Sequence, residues 1–152
     1  SLVYVASGFR GNALHAIDLY QAQGDITDSA AIVWQYERDT PYVPSLLLYD
    51  NLLYFFKKND SILSCLNAKT GEVMYGPQRL PGINGMYASP LGAAGRIYMV
   101  GRNGATMVVK HGPTFEVLAT NVLDDGFDAS PAVVDQELYL RGRQHLYCIA
   151  VP

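Results

Sequence analysis

The sequence predicts an all-β fold, a β-propeller segment of about four antiparallel meander blades, of which the first and last are incomplete. Ser45, Ser89 and Ser130 each stand nine residues before a tyrosine, and successive serines are 44 and 41 residues apart. Between them, short apolar runs rich in β-branched and aromatic residues are bounded by Gly, Pro, Asn or Asp, which favours strands over helices. Four short strands that repeat at this period are typical of a β-propeller blade. A sheet this small cannot bury its own faces, so it must stack on its neighbours.

The predicted blades span residues 1–40, 41–85, 86–126 and 127–152. In the first blade the pattern predicts strands over 2–6, 13–18 and 32–36, with a long polar connection before the third. No serine stands nine residues before Tyr4. We therefore expect this blade to lack its innermost strand.

The second blade is the most complete, with predicted strands over 43–48, 53–56, 62–66 and 72–75. Three short turns join them, and each contains the Asn, Asp or Gly that tight turns require. Residues 77–85, which include Pro77, Pro81, Gly82 and Gly85, are expected to link to the next blade.

The third blade repeats this plan, with predicted strands over 88–93, 96–100, 105–110 and 115–119 and an acidic linker over 121–128. The fourth has predicted strands over 129–134, 137–140 and 145–150. From Ile97 onward the two blades align without a gap, which pairs Tyr98 with Tyr139 and Arg102 with Arg143.

Composition excludes several classes of protein. The chain has 152 residues and is 49% hydrophobic, so it can fold around a sizeable core and is not disordered. Charged residues make up 16%, against a usual share of about 25%. A net charge of −3 without a basic run argues against nucleic acid as a partner. No apolar run approaches the roughly 18 residues of a transmembrane segment.

The start of the chain carries no targeting signal that the sequence allows us to identify. Ser1 runs directly into an apolar stretch, with neither a basic region nor a cleavage site. We expect a processed product or a piece of a longer chain, and localisation cannot be read from such signals.

Residues 63–75, Leu-Ser-Cys-Leu-Asn-Ala-Lys-Thr-Gly-Glu-Val-Met-Tyr, resemble the repeat of quinoprotein-like (PQQ-like repeat) β-propellers. That repeat runs strand, Asp, two residues, Thr-Gly, two apolar residues and Trp. Asn67 replaces its Asp and Tyr75 its Trp, while the third blade has His111 and Phe115 at the places of Asp and Gly. The resemblance implies that the Thr-Gly turn and the terminal aromatic pack adjacent blades together. It also favours a periplasmic or extracellular location.

The resemblance leaves two functions open. The first is a non-enzymatic binding or scaffold module for a protein or peptide, similar to the periplasmic propellers that help to assemble outer-membrane proteins, with no cofactor expected. The alternative is a fragment of a PQQ-dependent quinoprotein oxidoreductase whose cofactor residues lie outside this chain. Such an enzyme needs PQQ, a calcium site of Glu, Asn and Asp, and a catalytic Asp. These residues do not form a constellation here.

Several polar residues are candidates for chemistry, and we interpret each as structural. Asp124, Asp125 and Asp128 could bind calcium, but their spacing lacks the alternation of a calcium loop, so a solvated loop between blades is favoured. The histidines lie in different blades without metal-ligand spacing, so we expect them at turns or strand edges. Ser89 and Ser130 precede proline and have no histidine placed to activate them. The three histidines are His15, His111 and His145.

The recurring tyrosines and arginines also have two interpretations. Tyr54, Tyr98 and Tyr139 could stack on a sugar or a quinone, but their equal register favours packing between blades. Arg102 and Arg143 occupy equivalent turns and could bind an acidic ligand. The simpler expectation is that both are exposed turn residues without a ligand. Cys65 and Cys148 fall on the same strand of blades two apart, beyond the roughly 7 Å limit for a disulfide. We expect both to be free and buried.

If a surface is functional, we expect it where the linkers enter the first strand of each blade. The first strand of a propeller blade is innermost, so the residues before it surround the central channel. Tyr42, Tyr87 and Asp128 stand at these places and are our candidates for a channel-rim binding site, by analogy of fold.

The predicted segment is only part of a ring, and its two end sheets would expose stacking faces. We expect either a longer chain that supplies the missing blades or a homodimer that closes a ring with two-fold symmetry.

Overall fold

In the computed structural model, residues 1–150 are described and form fourteen β-strands in four antiparallel sheets. The first sheet contains β1 (Leu2–Ser7), β2 (Ala13–Asp18) and β3 (Ile32–Tyr36). The second contains β4 (Leu47–Tyr49), β5 (Leu52–Phe56), β6 (Ile62–Asn67) and β7 (Val73–Arg79). The third contains β8 (Leu91–Ala93), β9 (Arg96–Val100), β10 (Ala105–Lys110) and β11 (Val117–Val122). The fourth contains β12 (Ala132–Val134), β13 (Glu137–Arg141) and β14 (Leu146–Ala150).

Within each sheet the strands pair in chain order, so every sheet is the predicted meander. The predicted fold class is confirmed: the described residues contain no helix and form sheets of three, four, four and three strands. These sheets do not close into a ring. Residues 151 and 152, the end of the predicted fourth blade, lie outside the described part of the chain.

Three hydrophobic cores lie between successive sheets. The largest joins the second and third sheets and includes linker residues as well as Tyr54, Phe56 and Met107. A second core joins the first and second sheets around Leu14 and Phe55. The third joins the third and fourth sheets around Phe127 and Leu140. Each sheet therefore buries its apolar faces against its neighbours, as stacked blades must.

The first and second sheets meet at the Thr-Gly turn and at Trp34, which stands in the first blade at the place of the Trp in the PQQ-like repeat that the sequence resembles. Trp34 lies over the Thr-Gly turn of the next sheet, and a Cβ built on Gly71 would lie 2.8 Å from the Trp34 ring. Trp34 Nε1 donates a hydrogen bond to the carbonyl of Ala68 (3.0 Å), and the Tyr4 hydroxyl donates to the same carbonyl (2.9 Å). The expected role of the turn and the terminal aromatic in blade packing is confirmed here.

The second and third sheets meet through substituted residues at the same places. The Tyr75 ring contacts the Phe115 ring edge-on, with 5.7 Å between centroids. The Tyr54 hydroxyl lies 2.9 Å from Nδ1 of His111 and accepts a hydrogen bond from Gly112 N (3.1 Å). His111 Nε2 lies 3.2 Å from the Asp50 carboxylate. His111 is thus a turn residue, as predicted, and it also connects two blades.

The inner strands are shorter than predicted. Strands β4, β8 and β12 have three residues each, whereas runs of six were expected. The segments before these strands contain Pro44, Pro90 and Pro131, and proline has no N–H group to donate to a sheet. The serine N–H groups in two of these segments bond to a neighbouring blade instead. Ser45 N donates to Ser89 Oγ and Ser89 N donates to Ser130 Oγ, both at 2.9 Å. The repeating serine is therefore a contact between neighbouring blades.

Two outer strands also differ from prediction. Strand β7 continues to Arg79, because the chain stays paired with β6 beyond Gly76 and Pro77. Strand β11 begins at Val117 and ends at Val122, two residues into the predicted linker, because Asn121 and Val122 remain paired with Thr106 and Ala105.

The cysteine prediction is half right. Both cysteines are free, and Cys65 is buried, but Cys148 is exposed. Cys148 pairs across strands with Tyr139, so both project from the same face of the fourth sheet. That face is opposite to the one that carries Leu138 and Leu140 towards the third sheet.

The recurring tyrosines have different surroundings. Tyr54 is fully buried between blades, as predicted. Tyr98 lines a cavity of about 400 Å³ between the third and fourth sheets, next to Leu138 and Ile149. Tyr139 hydrogen-bonds Glu137 within its own sheet, so its packing role between blades remains a prediction.

Candidate binding surface at the linker end

The three linkers between sheets and the alternate hairpin turns lie at one end of the molecule, which we call the linker end. A meander reverses direction at every turn, so the turns β1–β2, β5–β6, β9–β10 and β13–β14 share this end with the linkers. Backbone hydrogen bonds fasten linker to turn: Met86 N donates to Asn59 O (2.9 Å), and Arg102 N donates to Asn84 O (3.0 Å). The end is therefore a connected surface rather than a set of loose loops.

Tyr42 lies on this end in an exposed aromatic pair. Its ring stacks on Phe9 from the β1–β2 turn, with 5.1 Å between centroids and 20° between planes. The Arg10 guanidinium lies 5.1 Å from the centroid of Phe9. Phe9 is 57% exposed and Tyr42 51%. Sequence reasoning missed Phe9, although an aromatic residue inside a predicted turn was a signal that could have revealed it.

Tyr87 lies beneath a guanidinium group. The Arg102 guanidinium carbon is 4.3 Å from the centroid of the Tyr87 ring, a cation–π distance. Tyr87 is 38% exposed. The ring and the arginine together form a flat, partly exposed platform.

Asp128 joins the two equivalent arginines. Its Oδ1 lies 2.6 Å from Arg102 Nε and its Oδ2 lies 3.2 Å from Arg143 Nε. The hydrogen bond from Arg143 is the largest cause that lowers the pKa of Asp128 below its ordinary value. Tyr87, Arg102, Asp128 and Arg143 therefore form one group, which we call the arginine cluster, whereas Tyr42 lies apart from it. That these residues bind a ligand remains a prediction.

Asp125 was predicted in a solvated loop, but its side chain is 0% exposed. Burial alone would raise its pKa, yet backbone N–H groups and the Tyr147 hydroxyl donate to the carboxylate and lower the pKa to about 2. Its donors are Gly126 N (2.7 Å), Arg143 N (2.9 Å), Gln144 N (3.2 Å), His145 N (3.1 Å) and Tyr147 Oη (3.2 Å). Asp125 therefore supports the β13–β14 turn and the backbone of Arg143.

The remaining polar candidates do not converge. Among residues 1–150, no group of three His, Cys, Asp or Glu side chains is arranged to hold a metal ion. In the same part of the chain, no helix is long and apolar enough to cross a membrane.

No protein-family model matches the sequence, and no curated protein matches it either. Solved structures do match. BamB from Moraxella catarrhalis, a β-propeller of the PQQ-like repeat family, has a TM-score of 0.72 at 19% identity, over 99% of this chain and 43% of the BamB chain.

Two computationally designed proteins are similar as well. Ika4 matches with a TM-score of 0.71 at 12% identity, over 99% of this chain and 86% of its own. Ika8 matches with a TM-score of 0.70 at 12% identity, over 99% of this chain and 42% of its own. The present chain thus spans less than half the length of the BamB and Ika8 chains. These matches show the β-propeller fold.

Proposed function

We propose that this protein is a non-enzymatic β-propeller module that binds a protein or peptide partner through its linker end. The observation that carries the proposal is that two groups of partly exposed tyrosines and arginines lie on one end of the propeller segment. Tyr42 lies beside Phe9, and Tyr87 lies beneath Arg102. Tyrosine and arginine are enriched among the residues that dominate binding energy in protein interfaces.

The surroundings of these side chains support the proposal. Ring stacking and ion pairing hold them in place before a partner arrives, which lowers the entropy lost on binding. The likeness to BamB supports a propeller scaffold. A periplasmic location, which the resemblance to the family implies, belongs to the same proposal.

Site-specific photo-crosslinking tests the choice of surface. Benzoylphenylalanine replaces Tyr42, Tyr87 or Tyr20 in the source cells, and adducts are detected after irradiation. Tyr20 is the matched control, because it is an exposed tyrosine in the β2–β3 loop at the opposite end. We expect discrete protein adducts from positions 42 and 87 and none from position 20. Equal adducts from position 20, or none from the linker end, would contradict the proposal.

A second experiment separates the module from the oxidoreductase alternative. PQQ and calcium are added to the protein, and the absorbance of the quinone is recorded. We expect the spectrum of the free quinone. A bound quinone with a red-shifted spectrum would instead support the enzyme.

We also propose that other blades complete the ring, from a longer chain or from a second copy. The free face of the first sheet exposes Val5 and Val33, and the fourth sheet exposes Val134 and Leu146. Apolar patches of this kind mark surfaces that bind. Analytical ultracentrifugation of the 152-residue chain checks this, because a stable monomer without self-association would contradict both routes.

A further inference from the structure

The charges of this chain are divided unequally between its two ends. The linker end comprises the three linkers, the turns β1–β2, β5–β6, β9–β10 and β13–β14, and the strand ends beside them. It carries eight of the eleven Lys and Arg residues but only six of the fourteen Asp and Glu residues, a formal charge of +2. The basic residues there are Arg10, Arg38, Lys57, Lys58, Arg79, Arg102, Arg141 and Arg143.

The opposite end has the reverse balance. This end consists of six turns and the strand ends beside them: β2–β3, β4–β5, β6–β7, β8–β9, β10–β11 and β12–β13. These segments carry the other three basic residues and the other eight acidic residues, a formal charge of −5. The two ends together account for the net charge of −3. The protein is therefore an electrostatic dipole, and its positive end is also the end with the exposed Tyr–Arg surface.

We propose that the linker end docks on an acidic polypeptide segment, with the arginine cluster as its centre. Complementary charge across an interface orients the encounter and raises the association rate. This inference rests on the proposed function and names the chemistry of the partner.

The arginine cluster is built to accept a second carboxylate. Arg102 contacts Asp128 through Nε and packs its guanidinium face on Tyr87, and within residues 1–150 this guanidinium makes no other ion pair or side-chain hydrogen bond. A guanidinium has five N–H donors, so its terminal nitrogens remain for a partner. Asp128 and Tyr87 hold the group in position, which favours bidentate recognition of a carboxylate.

An acidic protein fits this end better than a membrane or nucleic acid does. The eight basic residues share this end with six carboxylates, and two of these, Asp39 and Asp128, are already paired with Lys57 and with the two arginines. Such a mixed surface repels a uniform polyanion in places but matches a partner with individual charges. The exposed ring of Tyr42 adds an anchor for an apolar side chain.

Fluorescence anisotropy with defined probes tests the inference on the whole chain. One probe is a labelled peptide in which glutamate alternates with leucine and phenylalanine, and a second has lysine in place of glutamate. Vesicles rich in phosphatidylglycerol are the third. We expect the acidic peptide to bind, the basic peptide and the vesicles not to bind, and the affinity to fall as salt rises.

Matched variants locate the site. Arg102→Gln with Arg143→Gln is expected to weaken binding of the acidic peptide about tenfold. Arg96→Gln with Lys69→Gln removes the same charge from the opposite end and should leave affinity within about twofold. Arg141→Gln tests the surface without touching Asp128, since Arg141 makes no ion pair among the described residues, and should also weaken binding. Thermal unfolding of each variant reports folding.

Equal binding of both peptides, equal weakening by the two double variants, or tighter binding to the vesicles would overturn the inference. Crosslinked partners at positions 42 and 87 without these charge effects would leave the proposed function standing and remove only the acidic partner.

Discussion

The interface between the first and second sheets and that between the second and third solve one packing problem with different side chains. In the first interface a large Trp34 lies over Gly71, where the turn has no side chain. In the second, the smaller Tyr75 meets Phe115 at the place where the family repeat has glycine. A large ring over a small residue is replaced by two rings of middle size, so the space between blades is filled in both cases.

Tyr4 on β1 and Tyr54 on β5 show the same rule for hydrogen bonds between blades. Tyr4 donates to the carbonyl of Ala68, and Tyr54 bonds to His111 and Gly112. Both hydroxyl groups reach the turn between the third and fourth strands of the next blade. The position of the contact is therefore kept, while its chemistry changes.

The largest effect is expected from filling the space beneath Trp34. Gly71→Ala places a Cβ 2.8 Å from that ring at a backbone φ of +75°, so it combines overpacking with strain and should destabilise the fold by about 2–4 kcal/mol. Urea denaturation measures the free energy of unfolding.

Gly24→Ala is the control for Gly71→Ala. Gly24 also has a positive φ of +61°, but a Cβ at this position would have nothing within 4 Å. The backbone strain alone should cost about 1 kcal/mol. Equal losses of unfolding free energy at the two positions would show that Trp34 moves to accommodate the new methyl group. The interface would then not require a residue as small as glycine beneath the Trp34 ring.

A double-mutant cycle tests whether the second interface can be converted into the first. Phe115→Gly removes one ring of the Tyr75–Phe115 contact and should cost about 2–3 kcal/mol. Adding Tyr75→Trp should recover about 1 kcal/mol of that loss, because the larger ring occupies the space left by Phe115. Chemical denaturation of the four proteins gives the coupling energy. Additive costs would mean that the two positions pack independently.

The stability of the interface between the third and fourth sheets should depend on pH through Asp125. Its folded-state pKa of about 2 lies below the ordinary value of 3.8, so its contribution to stability is present above about pH 4 and is lost as the pH falls towards about 2. Thermal unfolding across this range should show a shallower pH dependence for Asp125→Asn, with lower stability at neutral pH. Asp124→Asn removes the same charge from an exposed neighbour. An equal change in slope for both variants would assign the effect to net charge.

The smallest effect distinguishes two tyrosines in one core. Tyr54→Phe removes the contacts to His111 and Gly112 and should cost about 1 kcal/mol. The Tyr75 hydroxyl is buried without a hydrogen-bond partner among the described residues, so Tyr75→Phe should be neutral or slightly stabilising. Differential scanning calorimetry resolves the two, and an equal loss would indicate a bond to the Tyr75 hydroxyl through water.

The fold could be predicted because its causes are local. Short apolar runs bounded by turn residues determine where a strand can form, and the regular interval of the serines shows that the unit repeats. The ends of the inner strands could not be predicted, since Ser45 N and Ser89 N bond to a neighbouring blade instead of a paired strand. The apolar pattern of residues 43–46 does not show this difference.

The candidate surface could be predicted only in part. Tyr42, Tyr87 and Asp128 could be placed beside the first strands from the repeat alone. That Arg102 packs on Tyr87, and that Arg102 and Arg143 share Asp128, depends on how far successive blades rotate. The burial of Asp125 likewise depends on the approach of the β13–β14 turn.

The sequence by itself determined the all-β class, the number of sheets and the order of their strands, because hydrophobic period and turn chemistry act over a few residues. Only the tertiary structure decided which aromatic meets which turn, and which carboxylate is buried rather than exposed. Those outcomes depend on the distance between side chains some 40 residues apart in sequence, such as Trp34 and Gly71. Stacking sets that distance, and the local pattern does not contain it.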